Sequence, residues 1–144
     1  MSTEIVSLSS HKIDDLSLDQ SVSIDVVIKH EEIESFARLT TDYNPIHVDK
    51  SAANEQGFAD QVVHGMLVTS YISTLVGMIL PGKNSLIGST QFNYLTPVFV
   101  GDQLTISGRI SEKYSSLKSI VLDINIYRNI EPVVTGSVHV KVHR

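Results

Sequence analysis

Between Val22 and Lys29 apolar and polar residues alternate: Val22, Ile24, Val26 and Ile28 fall on one side, Ser23, Asp25 and Lys29 on the other. A period of two predicts a half-buried strand. The spacing then changes. Ile33, Phe36 and Ala37 mark the apolar face of a short helix over His30–Thr40, with Glu31 and Glu32 in its first turn, where carboxylates favour the positive end of the helix dipole. A second short helix is expected over Asp49–Gln56, capped by Asp49 and stopped at Gly57. From His64 to Leu80 apolar residues cover nearly every face, and Pro81-Gly82 ends the run; that pattern predicts a buried helix. Everything beyond reads as strand. Leu86–Leu95, Gln103–Tyr114, Lys118–Arg128 and Val133–Val142 follow one another, with Leu104, Ile106 and Ile110, then Ile120, Leu122, Ile124 and Ile126, then Val134, Val138, Val140 and Val142 each on a single face. Such alternation fits antiparallel strands with one wet face.

One long apolar helix and about five antiparallel strands make an α+β layer arrangement in which the sheet wraps the helix to cover it. A small sheet covers one side only, so the helix is expected to leave a surface for a second copy, and a homodimer is expected. Residues 1–13 read as a flexible tail, ordered only if something docks it, ahead of a single domain over 14–144.

Composition narrows the function classes. With 144 residues, 42% hydrophobic and 19% charged, the chain is long enough for one well-formed core. The formal charge is −5 and the basic residues are thinly spread, so neither nucleic acid nor an anionic membrane is expected as a partner. There is no cysteine, which removes disulfides, thiolate metal sites and a cysteine nucleophile. Met1–Gln20 lacks the basic start and apolar core of a signal peptide, and Met66–Leu80 falls short of the roughly 20 apolar residues that span a bilayer. A cytoplasmic location is the default expectation.

The chemistry concentrates where the first helix ends. Asp42, Asn44 and Pro45 are turn formers, and the ionisable Asp42 and His47 stand on either side of the turn. On one straight helix residues five apart point to different faces. Across a proline-containing turn they can converge, as acid–base chemistry requires. Two other patterns lead nowhere. Gly77-x4-Gly82-Lys83-Asn84 lacks the Ser/Thr of a phosphate loop and ends a helix where such a loop opens one. A metal held by Asp42, His47, Asp49 and His64 has no local ligand spacing behind it, and neither metal nor other cofactor is expected.

The stretch Phe36–Asp49, with Asp42-Tyr43-Asn44-Pro45-Ile46-His47 at its centre, resembles the hydratase motif of the MaoC-like, or R-specific enoyl-CoA hydratase, family. The resemblance continues through Val63-His64-Gly65-Met66-Leu67 and Tyr94–Asp102 and covers most of residues 14–142; Thr41 stands where the motif usually has glycine. It implies a hot-dog fold, an antiparallel sheet wrapped around a long buried helix, and dimers formed edge to edge. It also implies reversible addition of water to a 2-enoyl thioester carried on coenzyme A or acyl carrier protein. That reaction needs a base for water, a proton donor for Cα and donors aimed at the thioester oxygen. Carried over residue by residue, Asp42 and His47 supply the first two in an order left open, and the Gly65 N–H the third. Asn44 and His64 are candidates for orienting or binding the substrate. Ser73, two turns along the helix, is a candidate partner of Asp42, and Phe92, Tyr94 and Phe99 are possible walls for the acyl chain. A non-catalytic acyl-thioester binding module and a thioesterase are the competing expectations; retention of both Asp42 and His47 speaks against the first, and the Asp-x-Asn-Pro-Ile-His turn against the second.

Overall fold

The computed structural model describes residues 6–144. The alternating segments become one antiparallel sheet of β1 (Ser21–Val27), β2 (Ser85–Tyr94), β3 (Gln103–Tyr114), β4 (Ser119–Arg128) and β5 (Glu131–Val142), in the order β1-β3-β4-β5-β2. The apolar rows read from the sequence form its inner face: Leu104, Ile106 and Ile110, Ile120 to Ile126 at every second residue, and Val134, Val138, Val140 and Val142 are all buried. Each fully buried Leu, Ile or Val contributes about 1.5–3 kcal/mol of transfer free energy. Strand limits agree with the sequence pattern to within two residues, and β1 and β2 form the edges.

The inner face covers the central helical segment, which is less regular than expected. It runs as α4 (Gly65–Ser70) and α5 (Ile72–Thr74), then a π-helical turn Leu75–Ile79, closed by the Leu80 N–H donating to the Leu75 carbonyl at 2.9 Å. The break at Tyr71 has a visible cause. Ser70 Oγ donates to the Leu67 carbonyl at 2.6 Å, the acceptor that the Tyr71 N–H would use in a continuous helix. Nor is the segment buried all round. Leu67, Val68, Ile72, Leu75 and Val76 are buried, but Met66 is 75% exposed, and Ser70 and Ser73 are exposed on the same stripe. One sheet shields one side of a helix, and the far stripe stays open within a single chain.

Before the central segment come α1 (His30–Thr40), α2 (Pro45–Val48) and α3 (Lys50–Glu55). Glu32 accepts the Lys29 N–H at α1, and Asp49 accepts the Ser51 and Ala52 N–H groups at α3, as the sequence suggested for that cap. The single turn of α2 was read only as part of the turn. Part of the expected tail is docked: Ser9 N–H donates to Met78 O, His11 N–H to Pro81 O and Ile13 N–H to Arg144 O. Ile13 and Leu16 are buried, which is the docking on which order in this segment was expected to depend. Residues 1–5 lie outside the described residues.

Thr41 ends α1 in the left-handed region, at φ 62° and ψ 19°. A β-branched residue there costs about 1–2 kcal/mol, partly offset in a glycine variant by greater freedom of the unfolded chain. Thr41→Gly is therefore expected to raise the melting temperature by about 1–4 °C, read by differential scanning calorimetry; a lower melting temperature would show that the Thr41 side chain makes up the strain. The pairing of β2 with β5 has the opposite constraint. A Cβ on Gly136 would lie 2.1 Å from the Gln91 carbonyl oxygen and 3.0 Å from Phe92 Cα, both backbone atoms. Gly136→Ala should lower stability by at least about 1–3 kcal/mol, seen as an earlier urea midpoint with an unchanged slope.

Candidate active site

Two short segments meet at the start of the central helix. Asp42 lies in the turn after α1, where the Thr40 hydroxyl donates to Phe36 O and accepts the Asp42 N–H, and Asp42 Oδ1 accepts the Asn44 N–H. Asn44 caps α2 through its side chain, which accepts the Ile46 N–H, and Pro45 takes the first helical position, where no donor is needed. Asn44 thus orients the turn of helix that carries His47.

α2 is stitched to residues 61–63. The Val62 N–H donates to Ile46 O at 2.9 Å, Gln61 Nε2 donates to His47 O at 2.9 Å, and His47 Nδ1 meets Val62 O at 2.7 Å. A carbonyl only accepts, so Nδ1 carries the proton and Nε2 faces the site. Asp42 Oδ2 lies 3.8 Å from that Nε2. The separation is too long for a direct hydrogen bond, and both atoms stay available to a shared partner. The i, i+5 pair converges, as the turn residues implied.

His64 belongs to this cluster. Its Nε2 donates to the Asp42 backbone carbonyl at 3.0 Å and lies 3.9 Å from Asp42 Oδ2; its ring stacks on His47 with centroids 3.9 Å apart and meets Phe36 at 4.8 Å. Side-chain exposure falls from 48% at Asp42 to 12% at His47 and 3% at His64. Ligand-capable atoms of the three residues lie within 4.8 Å of one another, a grouping that local sequence spacing did not show. His64 would have to give up its N–H to the Asp42 carbonyl before Nε2 could hold a metal.

Gly65 opens α4, and no acceptor takes its N–H among the described residues. The Tyr94 ring lies over it: a Cβ at Gly65 would be 3.0 Å from Tyr94 Cε1, and Tyr94 Oη is 3.0 Å from Thr69 Oγ1. Beside it is a cleft of about 280 Å³ lined by Phe58, Val62, Gly65, Tyr94, Pro97 and Val98, among others. Of the three aromatic walls expected, Tyr94 lines this cleft, whereas Phe92 packs on the core and Phe99 lies under Arg128. Arg128 clamps the loop that forms the cleft rim, donating to Pro97 O and Asp102 Oδ2, and its bonds to Asp102 and then Glu131 push the guanidinium pKa further up. Ser73 is not brought to Asp42. It is exposed on α5, with no hydrogen bond to the site among the described residues. Gln61, Val62 and Thr69 escaped the sequence reading; a backbone carbonyl carries no residue signature, and nothing around Gln61 marks it.

The family model for MaoC-like domains matches residues 15–127. An (R)-specific enoyl-CoA hydratase of Aeromonas caviae is 43% identical over 74 residues, a match spanning 51% of this chain and only about half, 55%, of that protein. A second protein of that name, from Rhodospirillum rubrum, is 33% identical over 107 residues, covering 72% of this chain and 74% of the relative. The solved (R)-hydratase of A. caviae, described as involved in PHA biosynthesis, superposes with a TM-score of 0.85 at 32% identity over 88% of this chain and 97% of that one. The sheet of this chain, wrapped on its central helical segment, is the hot-dog arrangement. On the reach of the family model and the extent of these matches, the chain belongs to the MaoC-like domain family.

Proposed function

We propose that the protein is a hydratase/dehydratase of the (R)-specific enoyl-CoA hydratase type, a lyase that adds water reversibly to 2-enoyl thioesters to give (R)-3-hydroxyacyl thioesters. The observation that carries the reading is the convergence of Asp42 Oδ2 and His47 Nε2 across 3.8 Å, with the opposite nitrogen of His47 tied to Val62 O. A neutral imidazole held this way presents a lone pair at Nε2, and the carboxylate beside it stabilises the imidazolium that forms on proton uptake. Water loses a proton to the pair as its oxygen bonds Cβ, and the pair returns a proton to Cα. The atoms balance and no other reactant is needed. The free N–H of Gly65 is assigned to the thioester oxygen, where charge collects as the enolate forms. Coenzyme A is proposed as carrier because both reported relatives are named for enoyl-CoA. The setting proposed is the cytoplasm; no helix among the described residues is long and apolar enough to cross a membrane.

Asp42→Asn and His47→Gln are near-isosteric. Each should cut kcat for crotonyl-CoA hydration by about 10²–10⁴ and change KM little. The double variant should be little worse than the poorer single one, since the two act on one water. Followed by loss of enoyl absorbance, wild-type turnover in both single variants would remove the assignment. A chelator should leave wild-type activity intact, whereas loss restored by added metal would move the chemistry to an ion at the same three residues. Faster turnover of carrier-protein thioesters would replace coenzyme A as the carrier.

The protein is further proposed to act as a homodimer of its 14–144 domain, joined along β2. This edge strand is exposed over most of its length, including Leu86 at 57%, Ile87 and Tyr94. The open stripe of Met66, Ser70 and Ser73 lies on the helix that β2 adjoins through Tyr94–Thr69 and through Ser85 Oγ, which donates to Val76 O. Light scattering should give twice the 15.9 kDa chain mass, and Leu86→Lys with Ile87→Lys should halve it. A monomeric wild type overturns the proposal.

A further inference from the structure

The turn that carries Asp42 is held mostly by itself. Its hydrogen bonds through Thr40, Thr41, Asp42 and Asn44 stay within the continuous segment 36–47, where Asn44 accepts the Ile46 and His47 N–H groups of α2, and Thr41 adds backbone strain. Among the described residues one hydrogen bond reaches residues 40–44 from outside that segment: His64 Nε2–H to the Asp42 carbonyl, at 3.0 Å. The same ring lies flat against His47, with an interplanar angle of 25°, and Phe36 backs it. His64 in turn stands at the N-cap position of α4, with no capping bond from its side chain, and precedes Gly65 in the chain. A single residue with an almost fully buried side chain therefore touches the backbone of one proposed proton-transfer residue and the ring face of the other, and is the chain neighbour of the proposed oxyanion donor.

We infer that His64 is a positioning residue: its Nε2–H fixes where the Asp42 turn stands, and its ring fixes the plane in which His47 presents Nε2. The inference rests on the hydratase reading for its catalytic consequence, but the geometry it describes exists without substrate. The bond to Asp42 goes to the backbone, so the carboxylate keeps its freedom to engage water. The stack touches the His47 face, so Nδ1 keeps its bond to Val62 O and Nε2 stays open to the site. Supporting both groups without occupying either reacting atom is what separates this role from catalysis. A shift of about 1 Å in either group is enough to cost on the order of 10² in rate.

Two variants divide the role. His64→Phe keeps a flat ring for the stack and removes the donor; His64→Gln keeps an N–H donor and removes the ring. For hydration of crotonyl-CoA, with rates normalised to folded protein, His64→Phe should lose about 10–100-fold in kcat with KM within about threefold. His64→Gln should lose less than His64→Phe, but should change the His47 tautomer pattern in the proton–nitrogen NMR spectrum of the substrate-free protein, because the ring that keeps His47 Nδ1 aimed at Val62 O has gone. A purely structural His64 would lower the melting temperature and leave kcat per folded molecule and the His47 tautomer pattern where they were. That result, in whichever variant folds, overturns the inference. If the wild type shows no hydration at all, the hydratase reading falls, and the NMR comparison alone decides whether His64 sets His47.

Discussion

Leu75 occupies the space that Gly108 leaves in the middle of β3, and the geometry of the site depends on that fit. A Cβ on Gly108 would come within 2.9 Å of Leu75 Cδ2, while its neighbours on the same face, Ile106 and Ile110, are large and fully buried. The glycine is a notch in an otherwise bulky row, and it sets how closely the helical segment approaches the sheet. With that depth fixed, the start of the segment is fixed as well. Tyr94 leans on Gly65 from β2, the Val63 N–H donates to Val98 O, and α2 is bonded to the residues just before His64. Loops thus bring the reactive groups to a rigid helix end.

Features with a period were the ones readable from sequence. The buried rows of β3, β4 and β5 repeat every second residue, and a one-residue slip would turn each row to water, so pattern alone defines them. The helix was readable as apolar but not as buried. Met66 is as hydrophobic in sequence as Leu67, yet one is exposed and the other covered, because hydropathy does not say whether the cover comes from the same chain. The break at Tyr71 depends on one hydroxyl choosing a carbonyl, and no window average reports that. At the site, Asp42 and His47 were legible because five residues and a proline turn separate them. The place of His64 was not, since its partner is 22 positions away and is a backbone carbonyl. Ser73 illustrates the reverse: helical spacing suggested a partner that the fold does not deliver within one chain.

The order of burial across the site has a physical logic. An ionised carboxylate is costly to bury without a partner, and Asp42, half exposed and with only a backbone N–H on Oδ1, avoids that cost by staying in water. His47 can go deeper because Val62 O accepts its Nδ1–H in either protonation state. His64, deepest of all, spends its donor on a carbonyl and offers only a ring face to its neighbour. No step of the proposed reaction then requires a charge to form where nothing can answer it. An acyl thioester settling over Asp42 would expel the water that screens it, and the attraction between carboxylate and imidazolium would strengthen as the medium became less polar. In the proposed reaction the attraction across the 3.8 Å gap would then be strongest with substrate in place, which is when proton transfer is needed.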